Sequence, residues 1–382
     1  MFAWGNNSDR ASVDLKPANF ADKVSLLDPA SPENGLRRAD RLREFRRGIL
    51  SGDKKSVATA SRSQSWRLDA LGNWASNTLD GTAQARSHNP ANEITDLSDT
   101  ANDPNYDSRG NMTADANLLY KYDAWNRLAE VRRRADNSLT ATYKHDGTNR
   151  RIRKFLPAEG GDANVTYDYY YDFQWRLVEV RKNGSGSPYE QYVWSPRYID
   201  AAVLRDRDVG SLERLYYLTD AQQNVTALTD PNGQVVERYL YDAYGQPTFL
   251  DANRSPITWS NSRKNEILFC GYRYDPETGN YQVRNRCLIP GLGRWTQRDP
   301  SGFADGMDLY QYVQSNPIAY VDLDGAKGAP PASQPASAPA KKQYGLLVSS
   351  KDDDDTKAFR AGLTLQRNFG SRIFIQPSDG SS

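Results

Sequence analysis

The chain has 382 residues, with 49 basic against 48 acidic side chains and 23 Tyr and 8 Trp against only 3 Met. A balance this close to neutral provides no field to draw the protein onto nucleic acid or an anionic membrane, and the aromatic excess suits half-buried pleated strands better than helical cores. Two cysteines, Cys270 and Cys287, and two histidines, His88 and His145, are too few for a disulfide framework, a structural zinc site or histidine-based catalysis, so no metal and no cofactor are expected.

The opening MFAWGNNSDRASVD has no charged segment followed by an apolar run, and nowhere are 18 apolar residues consecutive, so neither a signal peptide nor a membrane span is read here. Residues 1–35 show no period and are expected to be irregular. The run RADRLREFRRGIL at 38–50 fits either a basic amphipathic helix or a strand, and its echo of the pattern that follows favours the strand.

That pattern is a repeat. YDAWNRLAEV at 122–131 and YDFQWRLVEV at 171–180 share Tyr-Asp, Arg-Leu and Glu-Val at identical offsets. Weaker copies begin at Leu68, Tyr106, Lys144, Leu218, Leu228 and Tyr241. Each unit is an apolar or aromatic strand end, an Asp, a short Gly or Asn turn, and a second strand. Physically that is a β-hairpin whose Asp caps the turn and whose Gly or Asn takes the positive φ. In VTYDYYYDF, Tyr167, Tyr169 and Tyr171 share one face and Asp168, Tyr170 and Asp172 the other, which makes cross-strand ladders and not a cofactor box. The expected fold is mainly β: a single curved antiparallel sheet of hairpin repeats over about residues 36–290, open at its N-terminal edge, with residues 36–265 as the repeat body.

Residues 266–326 form a different module. It ends in RDPSGFADGMDLYQYVQSNPIAYVDLDG, which holds two Asp-x-x-Gly corners, Asp299 to Gly302 and Asp322 to Gly325. Turn chemistry alone accounts for them. The sharper expectation is that the segment folds back at Gly306 and at Asn316-Pro317, with Leu309–Val313 as the packed piece between, so that Asp299 and Asp322 face each other as an acid and base pair. Cys270 and Cys287 are expected as free, inert thiols, with a single disulfide as the alternative. Residues 327–342 are Ala/Pro-rich linker. In residues 343–382, YGLLVSS, TKAFRAGLTLQRNFG and SRIFIQ read as strand, helix and strand, a short incomplete α/β tail expected to dock loosely. The KDDDD run at 351–355 reads as a solvated turn before a helix.

The repeats, and GYRYDPETGNYQVRNRCLIPGLGRWTQRDPSGFADGMDLYQYVQSNPIAYVDLDG after them, resemble the RHS and YD-repeat family, with its teneurin-like shell and its RHS repeat-associated core, over residues 35–325. The resemblance implies a strand spiral wrapping a hollow shell, a core plug closing one end, and a C-terminal toxin-like effector housed inside. It also implies aspartyl self-cleavage by Arg298, Asp299 and Asp322 at or just after Gly325, at the Gly325–Ala326 bond. This sequence differs from the family pattern at Asp308, Leu323 and Ala326, and Asp324 adds a third acid. A closed shell resembles a longer series of hairpins, so the chain is expected to be the C-terminal part of one, from a truncated or split gene or as the complement of a partner chain. The implied partners are its own tail or an encapsulated effector, an upstream shell chain and an immunity protein. Its implied location is secreted or at the cell surface by a specialised route, and cytoplasmic before export. An adhesion or carbohydrate-binding module is the alternative, and a nuclease-like activity in the tail the third.

Overall fold

The computed structural model describes residues 10–15, 20–25, 41–52, 56–98, 102–159 and 161–329. Its local rule is set by the aspartates. Asp123 Oδ1 accepts the N–H groups of Trp125 and Arg127 at 2.9 and 3.0 Å, and Asp172 Oδ1 accepts those of Gln174 and Arg176 at 2.8 and 3.0 Å. Asp146, Asp230, Asp242 and Asp251 do the same for the residues two and four places on. One carboxylate thus satisfies the orphan donors of each turn. The residue three places on takes the left-handed conformation: Asn126 has φ 62°, Asn149 71°, and even Trp175 65°. The turns are also stitched to one another, for the Arg127 guanidinium binds Asp123 Oδ2 at 2.6 Å and the Asp146 carbonyl, in the next turn but one, at 2.8 Å.

Repeating this unit gives an up-and-down meander in which consecutive strands pair antiparallel. Seven strands, from Arg10–Leu15 to Ile94–Leu97, form one sheet; fifteen, from Asn105–Tyr106 to Pro256–Ile257, form the next. Registers slip at the turns, as between Tyr170 and Tyr171, which bends the strands and curves the sheet. The convex face is polar and carries cross-strand ion pairs such as Arg153 with Asp168 and Arg214 with Asp206.

The concave face is filled. Tyr120, Val131, Tyr143, Val165, Tyr169 and Val180 pack in one cluster with Phe269, Tyr274, Tyr281 and Trp295 of the core module. Tyr281 and Trp295 are completely buried, and each such ring contributes about 3 kcal/mol of transfer free energy. Buried charges fix the docking: Arg151 binds Asp275 at 2.7 Å, and the Lys154 ammonium binds Glu266 at 2.9 Å and Glu277 at 3.3 Å. Over this stretch the core module packs directly against the buried face of the sheet.

Four expectations need correction. Residues 1–35 are not wholly irregular, because Arg10–Leu15 pairs with Phe20–Ser25, and Phe20–Ser25 in turn with Glu44–Leu50. The single sheet over 36–290 is two, broken between Leu97 and Asn105, and the core module bridges the break: Asn92 donates to the Met307 carbonyl and the Tyr310 hydroxyl to that of Gly110. Residues 273–295 belong to a separate four-stranded sheet, from Arg273–Asp275 to Arg294–Trp295. The linker begins with a strand, since Gly328–Ala329 pairs with Val321–Asp322. Within 38–50 the strand is Glu44–Leu50. Cys270 and Cys287 are free and buried. The linker beyond Ala329 and the tail over 343–382 lie outside the described residues. Among the described residues no helix is long and apolar enough to cross a membrane.

Candidate functional site: the corner at Gly325

Strands Asn280–Val283 and Arg286–Ile289 make a tight hairpin with Arg284 and Asn285 at its tip. Arg286 is the first residue past that tip. Its side chain turns inward, 2% exposed, with the guanidinium 4.3 Å over the Trp295 ring. A buried guanidinium demands partners, and two carboxylates meet it on one nitrogen: Arg286 Nη2 lies 2.7 Å from Asp299 Oδ2 and 3.2 Å from Asp322 Oδ2. Asp299 and Asp322 are therefore no further apart than these two contacts together allow.

Each aspartate is held by its backbone. The Asp299 N–H donates to the Leu309 carbonyl at 2.9 Å, and its Oδ1 accepts the Ser301 N–H at 2.7 Å and the Ser301 hydroxyl. Asp322 lies in the strand Val321–Asp322. The Tyr272 hydroxyl donates to its carbonyl at 2.7 Å and accepts its N–H at 2.9 Å. Tyr272 in turn contacts the fully buried Tyr312 hydroxyl at 3.2 Å, so the aromatic core sets the position of Asp322.

The corner that follows wraps around the Asp322 carboxyl. Its Oδ1 accepts the N–H groups of Gly325, Ala326 and Lys327 at 2.8, 3.1 and 3.2 Å. Gly325 has φ 69°, and a Cβ there would meet the Val283 carbonyl oxygen at 2.4 Å and the Arg286 nitrogen at 3.1 Å. Only glycine fits. The Asp324 carbonyl is anchored by both nitrogens of Asn285, backbone at 3.2 Å and side chain at 2.9 Å. The Gly325 carbonyl, pressed inward, accepts from Arg286 Nε. Both ends of the Gly325–Ala326 peptide bond are thus gripped, the carbonyl by a guanidinium and the nitrogen by a carboxylate.

Burial pushes the Asp322 carboxyl up to about 6; Arg286 opposes the shift and a hydrogen bond with Asp324 adds to it. Burial likewise lowers Arg286 against the pull of Asp299 and Asp322. A proton-holding acid, a second carboxylate and a fixed cation around a peptide carbonyl are the parts of carboxyl-mediated amide hydrolysis.

Arg298 is not among them. Its guanidinium binds Glu93 at 2.8 Å and the Tyr310 hydroxyl at 3.2 Å, away from both aspartates. Arg298 is thus committed to Glu93 and Tyr310, and no contact joins it to Asp299 among the described residues. The arginine that does so, Arg286, comes from a separate strand pairing. A signal for it was present: two buried carboxylates require a cation, and Arg286 stands beside the buried Cys287-Leu288-Ile289 run. Asp308, the departure from the family pattern, is buried, caps the Tyr310 N–H at 2.9 Å and lies 3.8 Å from Arg294.

Comparison with known proteins gives consistent relatives. The family model Teneurin YD-shell matches residues 52–319. The tRNA3(Ser)-specific nuclease WapA of Bacillus spizizenii is 30% identical over 268 residues, 68% of this chain and 11% of that protein. The double-stranded DNA deaminase toxin A of Burkholderia cenocepacia is 27% identical over 248 residues, 59% of this chain and 17% of that one. The chain therefore spans only between about a tenth and a fifth of these relatives. The solved structure of TcdB2-TccC3-TEV aligns with TM-score 0.44 and 16% identity over 80% of this chain and 18% of that one.

Proposed function

The chain belongs to the Teneurin YD-shell family, and on that premise we propose that it is a carrier module: a YD-repeat sheet and core plug that present a C-terminal toxin-like effector and cut themselves from it once. Two relatives named as a nuclease and a deaminase toxin support the carrier reading. The observation that carries the cut is the grip on Gly325–Ala326, with Arg286 Nε on the carbonyl and Asp322 on the nitrogen.

In this reading Arg286 polarises the Gly325 carbonyl and stabilises its oxygen as negative charge develops. Asp299, held by Arg286 and Ser301, takes a proton from the attacking water, and Asp322 is the acid of the pair. The reaction is a single turnover that leaves a carboxyl on Gly325 and an amine on Ala326. Such a carrier works outside the cell that makes it, beside an upstream shell segment and an effector partner.

The test is the intact mass of the purified full chain beside Asp299→Asn and Asp322→Asn. Loss of residues 326–382 from the wild type, with both variants whole, is the expected result; a wild type that stays whole from mildly acid to neutral pH removes the cleavage reading. A second reading, a carbohydrate or cell-contact module, draws on the exposed rings of Trp125 and Phe173 in their turns, at 76% and 88% exposure. Glycan binding lost in Trp125→Ala would favour it.

A further inference from the structure

The acid pair has a third member that nothing in the two-aspartate scheme uses. The Ala326 N–H is shared between two carboxylates, Asp322 Oδ1 at 3.1 Å and Asp324 Oδ1 at 3.0 Å, and the Lys327 N–H is shared in the same way at 3.2 and 3.3 Å. Two carboxyl oxygens set on one N–H crowd each other, and a proton between them relieves the repulsion. The two acids differ in access: Asp322 is 1% exposed, whereas Asp324 lies at the surface.

The surroundings leave the leaving nitrogen to this pair. Asp299 has its Oδ1 on Ser301 and its Oδ2 on Arg286. Arg286, from the hairpin, has Nε on the Gly325 carbonyl and Nη2 on the two buried aspartates. Asp305, from the facing segment, accepts the Gly328 N–H at 3.0 Å. Of the acids around the corner, among the described residues only Asp322 and Asp324 accept from the Ala326 N–H, and of these two only Asp324 lies at the surface.

We propose that Asp324 is a further catalytic residue of this corner, the group that takes a proton from solvent, shares it with Asp322 and delivers it to the Ala326 nitrogen as the bond to Gly325 breaks. The step balances. Water oxygen bonds to the Gly325 carbonyl carbon and its proton passes to Asp299. The C–N electron pair collapses onto the Ala326 nitrogen, which pyramidalises and takes the proton from Asp324. Asp324 is left ionised and is reprotonated from solvent. The upward shift of Asp322, partly caused by its hydrogen bond with Asp324, agrees with a proton resident between the two.

This inference rests on the self-cleavage reading, and its test separates the two. The full chain is synthesised in a cell-free system at a series of pH values from mildly acid to neutral, and release of residues 326–382 is followed by mass. Asp324 is exposed, so Asp324→Asn leaves the core intact and keeps an oxygen on the Ala326 N–H while removing the proton; Asp324→Glu keeps the acid. The expected result is release in the wild type, release slowed at least about tenfold with the acid-dependent limb of the pH profile lost in Asp324→Asn, and recovery of both rate and profile in Asp324→Glu. Asp324→Asn releasing its tail at the wild-type rate and with the wild-type profile, while Asp299→Asn and Asp322→Asn stay whole, overturns the role of Asp324 and leaves the dyad standing. A wild type whole at every pH overturns both.

Discussion

Asp299 and Asp322 share a single nitrogen, Nη2 of Arg286, at 2.7 and 3.2 Å, and all three side chains are nearly sealed from water. Removing the cation leaves the buried Asp299 carboxylate without its counter-ion, beside the Asp322 carboxyl that shared it, which costs about 3–5 kcal/mol. Arg286→Gln is therefore expected to lower the urea unfolding free energy by that order and to abolish tail release. Adding Asp299→Asn and Asp322→Asn to the same chain should return part of the lost stability, because the charges then go with their partner. An Arg286→Gln protein as stable as the wild type would contradict the pairing.

Gly325 and Gly302 close the two corners, and they are expected to respond differently to alanine. Both have positive φ, 69° and 65°, but a Cβ at Gly302 meets open space whereas at Gly325 it strikes the Val283 carbonyl. Gly302→Ala should cost only the backbone term, about 1 kcal/mol. Gly325→Ala should cost more and slow cleavage, because its carbonyl must leave Arg286 Nε. Equal melting temperatures for the two variants would refute the close packing of the second corner.

The half-buried carboxyl of Asp242 is pushed up to about 6 by desolvation, against the N–H groups of Gln246 and Tyr244. Its ordinary value is about 3.9. Between the two the folded chain keeps a proton that the unfolded chain has lost, so the stability it contributes is complete below about pH 4 and is lost as pH rises through about 6. An asparagine side chain at this position mimics the protonated form. Unfolding free energies measured from pH 4 to 7 should show Asp242→Asn gaining on the wild type as pH rises, by up to about 3 kcal/mol. His145 works in the other direction. Lowered to about 3 by burial and by Arg151 and Arg127, it contributes stability above about pH 6.5 that is lost as pH falls.

Trp175 occupies the left-handed position that Asn126 and Asn149 fill in the equivalent turns, with φ 65°. A bulky residue there is strained by about 1–2 kcal/mol. Trp175→Asn is expected to raise the midpoint of thermal unfolding, and a lower midpoint would show that the indole repays the strain through packing.

Much of the repeat body was legible because its signals are local. An Asp, a Gly or Asn three places on, and alternating apolar residues specify a hairpin without reference to anything distant, and Tyr167 and Tyr169 lie on the buried face that their spacing assigns. Residues 1–35 were not, since the KPAN stretch between Arg10–Leu15 and Phe20–Ser25 carries no Asp to mark a turn in the sequence. The site was legible in its acids and not in its cation. Asp299 and Asp322 stand in recognisable corners, whereas Arg286, though it adjoins the apolar Cys287-Leu288-Ile289 run, is brought to them by the distant pairing of Leu288 with Trp295 and Ile289 with Arg294. Arg298 was the nearer candidate along the chain, but it pairs with Glu93 instead.

The strand Gly328–Ala329 lies just beyond the bond that the corner grips, paired with Val321–Asp322 and anchored by the Gly328 N–H on Asp305. Breaking Gly325–Ala326 severs the covalent thread but none of these contacts. On the cleavage reading, scission and departure are two events with separate clocks: the first set by proton chemistry at the corner, the second slowed by a two-residue latch that must peel from its partner strand. On that reading a cut chain still holds its two ends together at this strand pair, and letting go requires the pair to open.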